Sequence, residues 1–271
     1  MDSLSKVLRR PTAKDDKYSR GVVGFVTGSV EYPGAAILGV TAAMRTGVGM
    51  IRYLGPESVG KMLLEVRPET VLQRGRVQAW VVGSGISAVK PGEQGDRLLD
   101  VLTEAEYAVI DAGALDLVDF RSLKTQAILT PHAGELERLL TRLGSPMTRE
   151  SIEASPVEAA SLAATLTGQT VLLKGNVTTI VSGREDATQT PPANPALATA
   201  GSGDVLAGIL GALLAANAQE LASGALKVTE IALAGALLHA RAADVAAQDG
   251  PVAALDVAEA IRKVVGEILA Y

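Results

Sequence analysis

The chain has 271 residues, with 30 acidic and 25 basic side chains and a formal net charge of −5. Apolar residues make up 48% of it, which is enough to bury a large core and is not typical of a disordered chain. Because cysteine is absent, disulfides, thiolate nucleophiles and cysteine zinc sites are excluded. The acidic balance and the 3% aromatic content argue against a nucleic-acid interface.

The N-terminal segment carries charges throughout and lacks the apolar stretch of a secretory signal peptide. No later stretch reaches the roughly 18 uninterrupted apolar residues that a membrane-spanning helix needs. We therefore expect a cytoplasmic protein.

Short β-branched apolar runs alternate with alanine-rich segments along most of the chain. The predicted strands are 22–27, 49–54, 79–82, 108–111, 127–130, 170–174 and 178–181. The predicted helices are 35–46, 94–102, 132–143, 156–167, 204–216, 225–247 and 257–269. Most of the strand runs are continuously apolar, which is typical of parallel strands buried on both faces. The alternation predicts an α/β sandwich.

The last two predicted strands are separated by only three residues, too few for a crossover connection. They are predicted to form an antiparallel hairpin, so the sheet is parallel early and antiparallel late. Because no linker divides the chain, we expect one domain over residues 1–271. The loop 182–195 precedes a glycine-rich motif and is interpreted either as a functional lid or as a plain connector.

The strongest local motif is formed by Gly201, Ser202, Gly203 and Asp204, ahead of an apolar helix. Glycines there let backbone N–H groups point at one centre, and the helix start adds its positive dipole end. This combination predicts an anion hole suited to phosphate. Asp204 is well placed to take a proton from a hydroxyl that attacks that phosphate. The alternative, equally supported by the pattern, is that Ser202 or Asp204 only caps the helix.

A second predicted helix start contains Thr130, Pro131, His132 and Glu135. Thr130 as N-cap with Pro131 at the first helical position is a sufficient structural explanation. The alternative places His132 and Glu135 near the ligand-binding edge of the sheet. Asp111, at the end of another predicted strand, either caps the next helix or helps to hold Mg²⁺.

Lys174 ends a predicted strand, where its charge would complement a polyphosphate in the anion hole. Asn194 lies nine residues before Gly203 and would offer its amide to the phosphates. Ordinary turn structure is the alternative for both segments. Gly83 and Gly85 follow a strand and allow close approach of a ligand to the backbone. A full dinucleotide fingerprint is not supported there, because a proline at position 91 interrupts the helix that should follow.

Two further positions have simpler interpretations. Ala36 lies in a small-residue segment after the first strand, which favours tight packing or close ligand approach. His239 falls within an alanine-rich helical segment and is predicted to be structural.

Six motifs, in this order, resemble those of the ADP-dependent NAD(P)H-hydrate dehydratases, a family of the ribokinase-like superfamily. They read EYPGAAILGVTAAMRTGVGMI, VVGSGIS, VIDAGALDL, ILTPHAGELERLL, VLLKGNVTTIV and NPALATAGSGDVLAGILGALLA. The resemblance runs from about residue 18 to residue 247, and the last two motifs together are specific to this family.

The resemblance implies a Rossmann-like three-layer α/β/α sandwich with a mostly parallel central sheet. It also implies the dehydration of (6S)-NADH-hydrate and (6S)-NADPH-hydrate back to the reduced cofactors. In that reaction ADP is consumed, AMP and phosphate are released, and Mg²⁺ offsets the diphosphate charge.

The resemblance further implies roles for individual residues. Asp204 is the expected catalytic base. The expected nucleotide contacts are Lys174, Gly175, Asn176, Val177, Thr178, Gly201, Ser202 and Gly203. The expected substrate contacts are Ala36, Gly83, Gly85, His132, Asn194 and Asp204. No residue is assigned as a metal ligand.

Two alternatives use the same motifs. A ribokinase-like kinase for a vitamin-precursor alcohol would need the same glycine-rich loop and base. A catalytically silent sensor would bind adenine nucleotides without turnover. From the resemblance we also expect a homo-oligomer, often a tetramer among relatives. An NAD(P)H-hydrate epimerase is expected on a separate chain, since no epimerase domain precedes this one.

Overall fold

The computed structural model describes residues 3–89, 91–183 and 185–270. The strands are β1 (Val22–Val26), β2 (Met50–Tyr53), β3 (Ala79–Val82), β4 (Tyr107–Ile110), β5 (Gln126–Leu129), β6 (Thr170–Leu173), β7 (Thr179–Ser182) and β8 (Thr188–Gln189). The α-helices are α1 (Ser3–Val7), α2 (Pro33–Thr46), α3 (Glu57–Val66), α4 (Gly92–Glu104), α5 (Ala114–Leu117), α6 (Ala133–Arg142), α7 (Arg149–Ala154), α8 (Pro156–Thr167), α9 (Ser202–Ala216), α10 (Ala218–Ala222), α11 (Val228–Ala246) and α12 (Ala254–Ile268). Two short 3₁₀ helices lie at Pro195–Leu197 and Ala247–Asp249.

The described strands pair in one sheet, in the order β2-β1-β3-β4-β5-β6-β7-β8. Strands β1 to β6 are parallel, whereas β7 and β8 are antiparallel to their neighbours. The hairpin register pairs Thr170 with Ser182 and Leu173 with Thr179. The predicted fold class, including its late antiparallel hairpin, is confirmed.

Helices cover both faces of the sheet and form one hydrophobic core on each. Along β1, Val23 and Phe25 enter the core shared with α2, α9, α11 and α12. Val26 enters the opposite core, which contains apolar side chains of α4, α6 and α8. Successive strand residues therefore serve two cores, which explains why the strand runs are apolar without interruption.

The predicted strands and long helices agree with the structure to within about three residues at each end. The sequence pattern missed α1, α3, α5, α7, α10 and β8. Most of these have only two to six residues, too few to establish a hydrophobic period. In the ten-residue α3, only Val59, Gly60 and Leu63 are buried, so its apolar face is narrow.

Helix α9 packs between the sheet and α2, and its glycines make that close approach possible. A Cβ on Gly208 would lie 2.1 Å from the carbonyl oxygen of Gly39 in α2. A Cβ on Gly211 would lie 2.2 Å from a Val81 methyl carbon in β3. All residues from 205 to 215 are buried, so α9 is apolar on every side because it is a core helix.

Among the described residues, none of the helices combines the length and the apolar character that crossing a membrane requires.

We predict that Gly208→Ala destabilises the fold, because its methyl group would force α2 and α9 apart. The expected loss in the free energy of unfolding is about 1–3 kcal/mol or more. Urea denaturation of the purified variants measures it. Gly266→Ala is the matched control, since a Cβ there meets no atom within 4 Å. That control should be neutral or slightly stabilising, because alanine is the better helix former. Equal unfolding free energies in the two variants would contradict the packing argument.

Candidate active site

The candidate site lies at the carboxyl edge of the parallel strands, where the strand order reverses between β1 and β3. There the Gly28 amide donates to the Ser84 carbonyl at 2.7 Å, and the Gly83 amide donates to the Val26 carbonyl at 3.1 Å. Open α/β sheets bind their ligands in the crevice that forms at such a reversal.

Three predicted substrate residues, Ala36, Gly83 and Gly85, lie at this reversal. Both glycines have positive φ angles, of 103° and 69°. A Cβ on Gly83 would lie 2.1 Å from the Asp111 carbonyl oxygen, so no other residue fits there. Ala36 is fully buried in α2, and its side chain contributes packing. Backbone packing alone therefore accounts for small residues at these positions.

The first turn of α9 presents its backbone without a side-chain cap. Gly201 is the N-cap, with φ of 90°, and no side chain accepts a hydrogen bond from the turn. The Ser202 hydroxyl instead donates to the Leu197 carbonyl at 2.8 Å. The capping interpretation of Ser202 and Asp204 is therefore wrong, and no side chain caps this helix start, which is the kind of terminus that binds anions.

A cavity of about 550 Å³ opens beside this turn, a size suited to a nucleotide. The predicted residues that line it are Lys174, Gly175, Asn176, Thr178, Asn194, Ser202 and Gly203. Val177 lines a neighbouring cavity of about 640 Å³ together with His132. Lys174, Gly175 and Asn176 border both cavities, so the hairpin turn separates them. Gly201 and Asp204 line neither of the two.

One wall of the nucleotide-sized cavity is apolar and was missed by sequence reasoning. It consists of Leu197, Ala198, Leu206, Ala236 and Ala240. Such a surface beside polar groups suits a nucleobase. No local pattern marks it, because three separate segments meet only after the chain has folded.

His239, also in this wall, is buried as predicted for a structural residue. Burial and the nearby Lys174 charge lower the pKa of His239, whereas a hydrogen bond with the Ser202 backbone raises it. The net result is a pKa of about 4. The imidazole is therefore neutral at physiological pH.

Asn194 lines the same cavity, but its side-chain amide is already engaged. Its Oδ1 accepts from the Ala196 amide at 2.9 Å, and its Nδ2 donates to Asp244 Oδ1 at 3.0 Å. Asn194 thus holds the loop before α9 in place, and its amide is not open towards the phosphate cradle.

The N-cap of α6 is His132, so the prediction that Thr130 caps this helix is wrong. The His132 Nδ1 accepts from the Gly134 and Glu135 amides at 3.1 Å and 3.3 Å. In return, Glu135 Oε2 accepts from the His132 amide at 2.9 Å, which completes a capping box. The helix starts later than predicted because the chain stays extended through Pro131, whose carbonyl accepts from the Lys174 amide at 2.8 Å.

This cap also determines the tautomer of His132. Partial burial lowers the pKa of His132, whereas the Glu135 carboxylate raises it. The net shift is downward, so the ring is neutral near pH 7. Because Nδ1 accepts hydrogen bonds, the proton of the neutral ring resides on Nε2. Nε2 lies 3.6 Å from Glu135 Oε1, too far for a strong hydrogen bond, and its N–H is available to a ligand.

One ammonium and two carboxylates form a buried ion-pair cluster at the same edge of the sheet. Lys174 Nζ lies 3.0 Å from Asp111 Oδ1 and 3.5 Å from Glu135 Oε2. Asp111 also accepts from the Ser84 and Thr130 hydroxyls, at 2.8 Å and 2.7 Å. Asp111 therefore does not cap α5, and its carboxylate accepts from three protein donors.

Asp111 and Lys174 hold each other in their charged forms. Burial by itself would raise the pKa of Asp111, but Lys174 and the two hydroxyls keep it below its usual value. Burial would likewise lower the pKa of Lys174, but Asp111 and Glu135 raise it above its usual value. The Asp111–Lys174 pair is therefore an ion pair near neutral pH.

Asp204 differs from these carboxylates because it has no ion-pair partner among the described residues. Burial and the charge of Asp111 raise its pKa to about 7, with Lys174 acting in the opposite direction. A carboxylate with this pKa is a competent general base near neutral pH. Asp204, an acid with a raised pKa beside an uncapped helix start, is therefore the candidate general base of this site.

Comparison with known proteins assigns the chain to a family. The sequence model of the NAD(P)H-hydrate dehydratase family matches residues 23–264. The ADP-dependent (S)-NAD(P)H-hydrate dehydratase of Neisseria meningitidis serogroup B is 34% identical over 251 residues, covering 86% of this chain and 80% of that protein. The chain belongs to the NAD(P)H-hydrate dehydratase family. The family resemblance of the six motifs is confirmed.

Other members of the NAD(P)H-hydrate dehydratase family extend the comparison. The bifunctional NAD(P)H-hydrate repair enzyme Nnr of Mycobacterium tuberculosis is 41% identical over 215 residues, or 76% of this chain and 43% of that protein. This chain spans about half the length of the bifunctional relatives that it matches. An ADP/ATP-dependent NAD(P)H-hydrate dehydratase of Bacillus subtilis, co-crystallized with ATP and Mg²⁺, aligns with a TM-score of 0.83 and 25% identity over 98% of this chain and 96% of that one.

The side chains of this dehydratase-family site determine whether it can hold a divalent cation by itself. Among the described residues, no group of three or more histidine, aspartate or glutamate side chains is placed to hold a metal ion. The described side chains alone thus provide no resident metal site. A cation would bind together with a phosphate ligand that supplies further oxygens.

We predict that Asp204→Asn stabilises the protein at about pH 8 by about 1–4 kcal/mol in unfolding free energy. The folded-state pKa of Asp204 is about 7, above its ordinary value of 3.8, so ionising Asp204 in the folded protein costs free energy. This cost is absent below the pKa that Asp204 has in the unfolded protein, and it grows as the pH rises towards the pKa of Asp204 in the folded protein. Urea denaturation of both proteins at about pH 8 and about pH 4 measures the difference. The gain should disappear at the lower pH, and an equal gain at both values would contradict the raised pKa.

Proposed function

We propose that this chain dehydrates (6S)-NADH-hydrate and (6S)-NADPH-hydrate to NADH and NADPH, consuming ADP and releasing AMP and phosphate. One observation carries the proposal: Asp204, a carboxylate without an ion-pair partner and with a pKa near 7, stands in the first turn of an uncapped helix. The nucleotide-sized cavity and the Lys174 ammonium adjoin that turn. A base, a phosphate cradle and a nucleotide cavity are what phosphoryl transfer to a hydroxyl requires.

In the first step, Asp204 accepts the proton of the 6-hydroxyl group of the hydrated nicotinamide ring. The hydroxyl oxygen attacks the terminal phosphorus of ADP, the bond from that phosphorus to the bridging oxygen breaks, and AMP leaves. The amides at the start of α9 face the phosphoryl group and its developing charge. Bound with the diphosphate, Mg²⁺ would offset part of its negative charge.

In the second step, the phosphate ester at C6 is eliminated. The nitrogen lone pair of the ring expels phosphate, which is a better leaving group than hydroxide, and loss of a proton from C5 restores the ring double bond. The oxygen of the former hydroxyl group leaves within the phosphate. The net change is removal of water from the hydrate and conversion of ADP to AMP and phosphate.

Apart from Asn194, whose amide is engaged within the protein, the remaining predicted residues bind the two substrates in this proposal. The hairpin turn from Lys174 to Thr178 contacts the nucleotide, with the apolar wall around Leu197 and Leu206 receiving its base. The Nε2–H of neutral His132 donates to the hydrated cofactor. Gly83, Gly85 and Ala36 are assigned to the cofactor by the family resemblance, and it is the backbone there that would face the cofactor, because protein atoms already fill the space of a Cβ on either glycine.

The proposed reaction uses the S epimer of the hydrate, so another activity must supply that epimer. We propose that an epimerase activity outside these residues provides it, consistent with the bifunctional relatives being about twice as long. We also propose a homo-oligomer, which light scattering after size-exclusion chromatography tests directly.

The deciding measurement is the near-ultraviolet absorbance of the reduced nicotinamide, followed with hydrated NADH, Mg²⁺ and either ADP or ATP. We expect a rise that requires ADP. A rise with ATP alone would retain the dehydration and overturn the choice of donor. If the chain were a ribokinase-like kinase, hydrated NADH would give no rise, and a vitamin-precursor alcohol supplied with ATP would instead give a phosphate ester, which phosphorus NMR detects.

We predict that Asp204→Asn lowers turnover by about three orders of magnitude, near the upper part of what a positioned general base supplies. Nucleotide affinity, measured by calorimetry, should stay near that of the wild type, because the first-turn amides are intact. Asp256→Asn is the matched control, since Asp256 is also in the first turn of a helix, α12, and caps the Ala253 amide. That control should turn over at nearly the wild-type rate. Turnover of Asp204→Asn within a few-fold of the control would remove Asp204 from the mechanism.

A further inference from the structure

Asp204 lies close to an ammonium with which it forms no ion pair. A Cβ on Gly203, the residue before Asp204, would be 3.4 Å from Lys174 Nζ. The ammonium is therefore within one residue of the base along the first turn of α9. Its ion-pair partners among the described residues are nevertheless Asp111 and Glu135, both on other elements.

Asp111 is the better fixed of these two partners. Its side chain is almost completely buried, with 4% of its surface exposed, and its contacts come from the ends of three other strands. Ser84 follows β3, Thr130 follows β5 and Lys174 follows β6, and each donates to the Asp111 carboxylate at 2.7–3.0 Å. A carboxylate anchored in this way keeps one rotamer and so determines where the ammonium stands.

We propose that Asp111 is a positioning residue for the reaction proposed above: by holding the Lys174 ammonium at the end of β6, it prevents that ammonium from pairing with Asp204. The base is then left without a counter-charge in contact, while the ammonium remains beside the phosphate cradle. The catalytic consequence of this arrangement rests on the proposed function. The position of the Lys174 ammonium and its effect on the ionisation of Asp204 do not depend on that function.

The charges around Asp204 support this inference. Asp111 and Glu135 raise the pKa of Asp204 and Lys174 lowers it, while burial makes the largest contribution. Of the helices packed on α9, α11 presents His239, which is neutral near pH 7. Helix α12 approaches the turn with Ala254, and α2 approaches Asp204 with Gly39, so neither brings a charge to these contacts. Loss of Asp111 would remove a like charge and free the ammonium, and both changes favour the ionised form of Asp204.

The test measures the titration of Asp204 directly, in the full chain without nucleotide or hydrated cofactor. Aspartate labelled with carbon-13 at the carboxyl carbon gives the midpoint, and the spectrum of Asp204→Asn assigns the resonance. We expect a midpoint near 7 in the wild type. In Asp111→Asn it should fall by about one unit or more, the range that nearby charges produce. A crystal structure of that variant should show Lys174 Nζ within ion-pair distance of an Asp204 oxygen.

Thr130→Val is the matched control, because it removes one hydrogen bond to Asp111 but keeps the charge and the Lys174 pair. Its Asp204 midpoint should stay at the wild-type value. An unchanged midpoint in folded Asp111→Asn would overturn the inference. So would a lowered midpoint with Lys174 still on Glu135, since the effect would then be through-space charge alone. If Asp111→Asn does not fold, Asp111→Ser replaces it, with the same fall and the same Lys174–Asp204 pair expected and no fall overturning the inference.

A second readout separates this inference from the proposed function. If the chain turns over hydrated NADH, the acidic limb of its turnover profile should move to lower pH in Asp111→Asn, in step with the Asp204 midpoint. If it turns over no hydrate, the proposed function fails, and the titration still decides whether Asp111 holds the ammonium away from Asp204.

Discussion

The close packing of α9 between the sheet and α2 is the constraint on which the rest of the molecule depends. Gly208 allows the carbonyl of Gly39 to approach, and Gly211 allows α9 to rest on the valines of the sheet. At the N-terminal end of the same helix, a Cβ on Gly39 would lie 3.3 Å from the Asp204 carbonyl oxygen. The contacts that form the core therefore also position the first turn of α9 at the carboxyl edge of the strands. Because that core tolerates little displacement, Asp204 and the backbone of the first turn of α9 are held rigidly.

Electrostatics at this edge are organised around an excess of carboxylates over cations. Asp111, Glu135 and Asp204 surround the single ammonium of Lys174, and all four side chains are at least partly buried. Desolvation makes such clusters expensive, and replacing buried ion pairs with apolar residues is often neutral or stabilising. The cluster therefore adds little to the free energy of unfolding. It is well suited to keeping one carboxylate charged and fixed while leaving another near its titration midpoint.

The sequence predicted the parts of the structure that local pattern controls. Continuous apolar runs identified seven of the strands, and the short spacing between 174 and 178 identified the hairpin. The start of α6 was placed wrongly because Thr130 and Pro131 satisfy the local rules for a helix start. Tertiary pairing of this segment with Lys174 overrides those rules and gives the cap to His132. The role of Asp111 and the apolar cavity wall were beyond local reasoning, because their partners lie on strands and helices distant in the sequence.

The position of Lys174 resolves a conflict between the two tasks of this edge. A diphosphate next to Asp204 would raise the pKa of that carboxylate further, since like charges disfavour ionisation. A cation in direct contact with Asp204 would prevent this but would also lower the affinity of the carboxylate for a proton, which makes it a weaker base. In the proposed reaction, an ammonium held by Asp111, near Gly203 but unpaired with Asp204, would compensate the phosphate charge and leave Asp204 free to accept a proton. The arrangement of Lys174, Asp111 and Asp204 would thus serve phosphate binding and proton transfer at the same time.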